Sequence, residues 1–102
     1  VHSPIQERVM QSIYAPHWGI KSSCTLVGDR ALEALAIAIH WLEDQGAELI
    51  IAGCTELSVG LRAMPSRSMN PMQMEWVDPL DIMAEITVDV AYQKCLPSAI
   101  AV

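Results

Sequence analysis

A long amphipathic helix followed at once by a short apolar run constrains the fold of this chain more than any other feature. The helix is predicted over residues 29–45, with Asp29 as its cap. Its apolar residues recur at helical spacing and form one face: Ala31, Leu32, Leu35, Ala36, Ile39 and Leu42. Gly46 ends the helix, and the apolar run over 49–52 then stops at Gly53. A helix, a glycine break and a buried parallel strand form half of a βαβ unit. We therefore predict an α/β fold, a parallel sheet with flanking helices.

The other predicted elements are shorter and are separated by turn-forming residues. Before the long helix we predict a helix over 3–14, with Ser3 as N-cap and Pro4 at its first position, and a loop over 15–23. After the strand we predict a short helix or turn from Glu56 to about Met64, a loop over 65–73 and a second strand over 75–77. The chain then continues as a helix over 79–94, with Asp78 as N-cap, and a tail over 96–102. One clear strand and one weak strand are few for a whole α/β domain. We therefore expect this chain, which begins at Val1 rather than at a methionine, to be part of a larger fold.

Composition argues against several classes of function. Twelve acidic and six basic residues give a net charge of −6, which disfavours a nucleic-acid partner because such binding depends on Lys and Arg contacts to phosphate. Three cysteines without a CxxC spacing fit neither a disulfide framework nor a zinc ribbon, and free thiols suggest a cytoplasmic location. The sequence predicts no signal peptide and no membrane-spanning segment. Apolar residues make up 52% of the chain, so we expect another lobe or subunit to cover part of its surface.

The tetrapeptide Gly53-Cys54-Thr55-Glu56 is the strongest candidate for a chemical site. It lies where a strand is predicted to give way to a helix, and backbone N–H groups at such a junction stabilise negative charge. A thiolate is favoured there, and the thiolate is the reactive form of cysteine. Glu56 could take or orient a proton, or bind a substrate ammonium. The alternative interpretation is structural, with Cys54 as a small buried side chain and Glu56 as an ordinary first-turn acid.

Residues 50–57, Ile-Ile-Ala-Gly-Cys-Thr-Glu-Leu, resemble the second cysteine motif of the aspartate/glutamate racemase superfamily. Four flanking segments extend the resemblance: Ile13-Tyr14, Gly19-Ile20-Lys21, Gln45-Gly46-Ala47 and Val77-Asp78-Pro79. The resemblance as a whole covers about residues 5–93, nearly the whole chain. The cysteine motif is the specific part of the resemblance, and the flanks support it.

The resemblance implies one lobe of a pseudo-symmetric two-lobe racemase that uses neither pyridoxal phosphate nor a metal. One thiolate removes the α-proton of an acidic amino acid, and a second thiol returns a proton on the opposite face. Cys54 would be the second of these cysteines, Thr55 would bind the substrate α-carboxylate, and Glu56 would tune the thiol or the ligand. Lys21, within the Gly-Ile-Lys flank, could contact the acidic substrate, although a solvated loop lysine is the alternative.

The chain departs from the family pattern in two places. The family's N-terminal lobe, with its own cysteine motif, has no counterpart here, and Cys24 and Cys95 lack a strand–glycine context. Many relatives also carry a histidine where this chain has Met83. We therefore expect the chain alone to be inactive and to need the N-terminal lobe or a second copy. The other hypotheses are a non-catalytic ligand-binding or subunit-pairing module and, less favoured, an isomerase that acts through a cysteine adduct.

Other polar residues are weaker candidates. His17 could line a site, whereas His40 is predicted to lie on the helix surface, and His2 has no motif around it. Arg62 and Arg67 flank a methionine-rich loop and are candidates to attract a dicarboxylate. No His, Cys or carboxylate set has the spacing of a metal site, so we predict no metal.

Overall fold

A computed structural model of the chain describes residues 3–23, 26–65 and 74–92. The elements are α1 (Pro4–Tyr14), α2 (Ile20–Ser23), α3 (Asp29–Asp44), β1 (Leu49–Ile51), α4 (Thr55–Ala63), β2 (Glu75–Val77) and α5 (Pro79–Ala91). The protein is thus mixed α/β, mostly helical, with a small parallel sheet of two strands. Most of the predicted 65–73 loop, the 96–102 tail, Cys24 and Cys95 lie outside the described residues.

The first and the last helix, α1 and α5, begin at the predicted N-cap residues. The Ser3 hydroxyl accepts a hydrogen bond from the backbone N–H of Gln6 at 3.1 Å, and Pro4 occupies the first turn of α1. The Asp78 carboxylate accepts one from the backbone N–H of Leu80 at 2.9 Å and begins α5. In both cases a side-chain oxygen satisfies an N–H group that has no partner within the helix.

The prediction of a loop over residues 15–23 is wrong for its second half, because Ile20–Ser23 form a helical turn. The turn is held by local hydrogen bonds that its apolar pattern does not reveal. The backbone N–H of Ser23 donates to the Gly19 carbonyl, and the Ser22 hydroxyl donates to the Ala15 carbonyl at 2.7 Å. A Cβ at Gly19 would lie 2.6 Å from the backbone nitrogen of Ala15, so the close approach of these segments requires glycine.

The long helix α3 spans Asp29–Asp44, close to the predicted range, but the prediction of its N-cap is wrong. Its N-cap is Gly28, whereas Asp29 is its first helical residue and does not act as the cap. At its other end, Gly46 takes the left-handed conformation with φ of 88°. The N–H of Gly46 donates to the Glu43 carbonyl, and the N–H of Ala47 donates to the Leu42 carbonyl. This is the Schellman arrangement, which turns the chain directly into β1.

The strand β1 is parallel to β2, as the sequence predicts, but it is not buried. Ile50 pairs with Trp76, and both pack against the core. Leu49 and Ile51 point to the other face of the sheet and are 48% and 65% exposed. Parallel sheets usually have helices on both faces, and here one face of the sheet is uncovered. The short apolar run fits a strand of either kind, so the sequence could not distinguish them.

The core lies between α3, α4 and one face of the sheet. Its buried residues are Ile20, Val27, Ala31, Leu32, Leu35, Ile39, Ala52, Leu61 and Met64. Helix α4 approaches α3 closely at Gly60, where an added Cβ would lie 2.6 Å from Cδ1 of Leu35. This packing fixes the direction of α4 and therefore the position of its N-terminus.

Helix α5 contributes no buried residue to this core. Its large apolar side chains are about half exposed: Leu80, Ile82, Met83, Ile86, Val88 and Val90. These apolar side chains of α5 therefore form an open surface of the protein.

Within the described residues, no helix combines the length and apolar character needed to cross a membrane.

Candidate functional site

Cys54 lies at the junction between β1 and α4. It is the N-cap residue of α4, with extended backbone angles of φ −147° and ψ 161°, and its side chain makes no capping hydrogen bond. The thiol is free and partly exposed. This position arises because β1 ends at Ile51 and α4 begins at Thr55. The predicted strand-to-helix position of Cys54 is confirmed.

Thr55 and Glu56 form the first turn of α4 beside this thiol. The Thr55 hydroxyl donates a hydrogen bond to Oε2 of Glu56 at 3.0 Å. A hydrogen bond from the backbone N–H of Glu56 is the main cause that lowers the pKa of its carboxyl, followed by the bond from Thr55. The nearby Lys21 charge and the Cys54 thiol lower this pKa further. Glu56 is therefore ionised at neutral pH and stays exposed enough to meet a ligand.

Lys21 reaches the same place from α2. Its Nζ lies 3.7 Å from Oε1 of Glu56 and 5.1 Å from the centre of the Tyr14 ring. The Lys21 side chain of this ion pair is half exposed and that of Glu56 is partly exposed, so solvent weakens the pair and a competing carboxylate can replace it. The structure thus brings together the four residues singled out from the sequence, namely Lys21, Cys54, Thr55 and Glu56.

Sequence reasoning did not assign Tyr14 to this cluster. Tyr14 ends α1, and its exposed ring lies beneath the Lys21 ammonium at cation–π distance. The signal available was an aromatic residue at the end of the amphipathic α1 pattern, just before a turn. That signal does not predict the direction of the chain after the turn. The contact between Tyr14 and Lys21 could not be predicted because it depends on the helical turn α2.

Arg62 belongs to a different cluster, which joins α4 to α5. Its guanidinium donates to Oδ2 of Asp78 at 3.0 Å and to Oδ2 of Asp81 at 2.6 Å, and it lies over the Trp76 ring. The hydrogen bonds from Arg62 and from the Leu80 N–H lower the pKa of the Asp78 carboxyl. The hydrogen bonds to Asp78 and Asp81 raise the pKa of Arg62. Because two carboxylates already engage this guanidinium, the suggested attraction of a dicarboxylate to Arg62 has no support here.

The remaining candidates lie apart from this chemistry. His40 is on the surface of α3, as predicted, with Nδ1 3.2 Å from Oε2 of Glu43. His17 is exposed between α1 and α2. Met83, where the resemblance would place a histidine, is 61% exposed on α5. His2 and Arg67 lie outside the described residues. In the parts of the chain that the structure describes, no group of three or more His, Cys, Asp or Glu could hold a metal ion.

The cluster at the N-terminus of α4 combines a thiol, an ionised carboxylate, a hydroxyl and an ammonium group. Such a set can bind a small zwitterion or acid through opposite charges and present it to a nucleophile or base. The first-turn N–H groups of α4 add a favourable environment for an anion. No protein-family model matches this chain, and no solved structure matches it.

Proposed function

We propose that this chain is one lobe of a cofactor-independent amino-acid racemase of the aspartate/glutamate type. The observation that carries the proposal is the grouping of Cys54, Thr55, Glu56 and Lys21 at the N-terminus of α4. The resemblance of residues 50–57 to the family's second cysteine motif assigns the chemistry. The parent protein would hold the substrate between this lobe and another.

In this mechanism the Cys54 thiolate takes the α-proton of the substrate and becomes a thiol. The electron pair of the broken C–H bond stays on the α-carbon and is delocalised into the α-carboxylate. A thiol of the other lobe then donates a proton to the opposite face, which inverts the centre. Two acid/base groups are needed because one group on one side would return the proton to the face it left.

The neighbouring residues position the substrate in this scheme. The Thr55 hydroxyl and the first-turn N–H groups of α4 bind the α-carboxylate. Lys21 is in position to exchange its ion pair with Glu56 for one with the side-chain carboxylate of the substrate. The freed Glu56 carboxylate can then accept the substrate ammonium or a proton from the thiol.

The test uses the full-length protein that carries both lobes, with Cys54→Ser against Cys95→Ser as a matched control. Racemisation of aspartate and glutamate is followed by chiral chromatography, and α-proton exchange in D₂O is followed by proton NMR. We expect Cys54→Ser to lower both rates by about 10²- to 10⁴-fold, the usual contribution of a general acid/base, with Cys95→Ser unchanged. If Cys54→Ser leaves exchange and racemisation intact, the proposal is wrong.

A second proposal is a non-catalytic module that binds a small carboxylate or pairs with another subunit. It is favoured by the uncovered apolar side chains of α5 and β1 and by Met83 at the family's histidine position. Alkylation of Cys54 by iodoacetamide, mapped by mass spectrometry, helps to separate the two. Protection of Cys54 by aspartate or glutamate, without exchange or racemisation in the full-length protein, supports the binding module. A second strand–glycine–cysteine motif upstream in the gene supports the enzyme.

A further inference from the structure

A cavity of about 220 Å³ opens between α1 and α3, and none of its lining residues belongs to the Cys54 cluster. Helix α1 contributes Arg8 and Gln11 to its wall, and α3 contributes Arg30 and the apolar Ile37. Trp18, from the turn after α1, forms another part of the wall. The volume is below the range of drug-sized ligand pockets and fits a molecule of a few heavy atoms.

The two arginines of this cavity have no carboxylate partner. The described residues include all twelve acidic side chains of the chain, and none of them forms an ion pair with Arg8 or Arg30. The other two basic side chains in the described ranges, Lys21 and Arg62, do form ion pairs. In a chain with a net charge of −6, two unneutralised arginines at one cavity leave a local positive site.

Trp18 orients one of these arginines. The Arg30 guanidinium lies over the indole with 4.4 Å between the guanidinium carbon and the ring centre. A cation–π contact places no hydrogen-bond acceptor on the guanidinium N–H groups, so these groups can donate to a ligand. The planar fork of an arginine suits two parallel hydrogen bonds to a carboxylate or phosphate.

We propose that this cavity binds the oxyanion group of a small molecule, a carboxylate or a phosphate, through Arg8 and Arg30. Nε2 of Gln11 already donates one N–H to Oε1 of Glu7 at 3.3 Å, so its second N–H is the one available to the ligand. Ile37 offers an apolar contact to the rest of the molecule. Glu33 also lines the cavity and disfavours a second negative charge there, so the bound molecule carries its anionic group at one end. This site is independent of the function proposed for Cys54.

The test is a titration of the full chain with inorganic phosphate and, separately, with acetate. Binding is read from the indole N–H signal of Trp18 in proton NMR, assigned with Trp18→Phe. Arg8→Gln and Arg30→Gln each remove one positive charge. Gln45→Glu is the matched control because it changes the net charge equally at the other end of α3, about 22 Å from Arg30 along the helix.

We expect saturable binding of at least one probe, weakened about tenfold or more in both arginine variants and nearly unchanged in Gln45→Glu. Arg30→Lys, which keeps the charge but not the planar fork, should lie between wild type and Arg30→Gln. Saturation by phosphate alone assigns a phosphate-bearing molecule, and saturation by acetate alone assigns a carboxylate. Absence of saturable binding, or equal affinities in wild type and the folded arginine variants, overturns the proposal. Cys54→Ser should leave this binding unchanged, whatever its effect on racemisation.

Discussion

Helices α3 and α5 are both rich in apolar residues, yet only α3 is buried. Six residues of α3 lie in the interior, whereas α5 has none there. Helix α3 has α1 on one side and α4 with the sheet on another, while α5 is joined to α4 near its start by the Arg62 contacts. The difference shows that a helix needs apolar residues to be buried, but that these residues alone are not sufficient. Whether such a helix is buried depends on the elements that pack against it. The exposed side chains of α5 and β1 are thus surfaces on which a second lobe or subunit could pack.

Truncation of one side chain in each helix measures this difference most directly. Leu32 of α3 is fully buried, so Leu32→Ala should lower the free energy of unfolding by about 2–5 kcal/mol through lost apolar contacts and a cavity. Ile86 of α5 is 46% exposed, and Ile86→Ala should cost less than about 0.5 kcal/mol. Urea denaturation of both variants is the measurement. An equal cost at the two sites would mean that α5 is covered in solution, and the comparison would fail.

The backbone contact between α1 and α2 is the next largest expected effect. In Gly19→Ala the new Cβ would meet three backbone atoms within 2.8 Å, so the segments must separate. We expect a loss of about 1–3 kcal/mol in unfolding free energy, together with weaker contact between Lys21 and Glu56. Gly53→Ala is the control, because a Cβ there has no neighbour within 4 Å. Urea denaturation that finds equal stability for the two variants would contradict the close packing at Gly19.

A substitution at the C-terminal end of the buried helix α3 should have a smaller effect on stability. Gly46 has φ of 88°, a conformation that costs a residue with a Cβ about 1–2 kcal/mol. Gly46→Ala should therefore lower the unfolding free energy by about that amount. Gly46→Asn should cost less, because asparagine tolerates the left-handed region. Thermal denaturation followed by circular dichroism compares the two. A lower midpoint for the asparagine variant than for the alanine variant would contradict the assignment of the Schellman turn.

Acid should weaken the ion pair between Arg62 of α4 and Asp78 at the start of α5. We expect this to change the free energy of unfolding least of all, because Arg62 is half exposed and solvent screens its charge. The folded-state pKa of Asp78 is lowered below its ordinary value of 3.8. Its contribution to stability is therefore fully present above that value and is lost as the pH falls through the folded-state pKa. Urea denaturation between about pH 6 and about pH 3 measures this loss. Asp78→Asn keeps an N-cap acceptor but not the charge, so its stability should fall less with acid. Equal slopes would show that the ion pair contributes nothing.

Local signals in the sequence were enough to predict most elements but not how they pack. Ser3, Asp78 and Gly46 act through contacts within a few residues, so their roles could be predicted from spacing alone. The placement of Cys54 at a strand-to-helix junction followed from the glycine that closes the apolar run. Helix α2 escaped prediction because serine hydroxyl bonds to the backbone hold it, and four residues are too few for an apolar period.

The sequence by itself determined most of the segments that become helices and strands, where four of the helices begin or end, and where the thiol lies. These features depend on caps, turn residues and periodicity, which act over one or two helical turns. Only the tertiary structure decided that Lys21 and Tyr14 join the Cys54 cluster, that Arg8 and Arg30 line one cavity, and that β1 and α5 remain uncovered. The reason is that these properties depend on contacts between residues far apart in the chain, and on what does not pack against them.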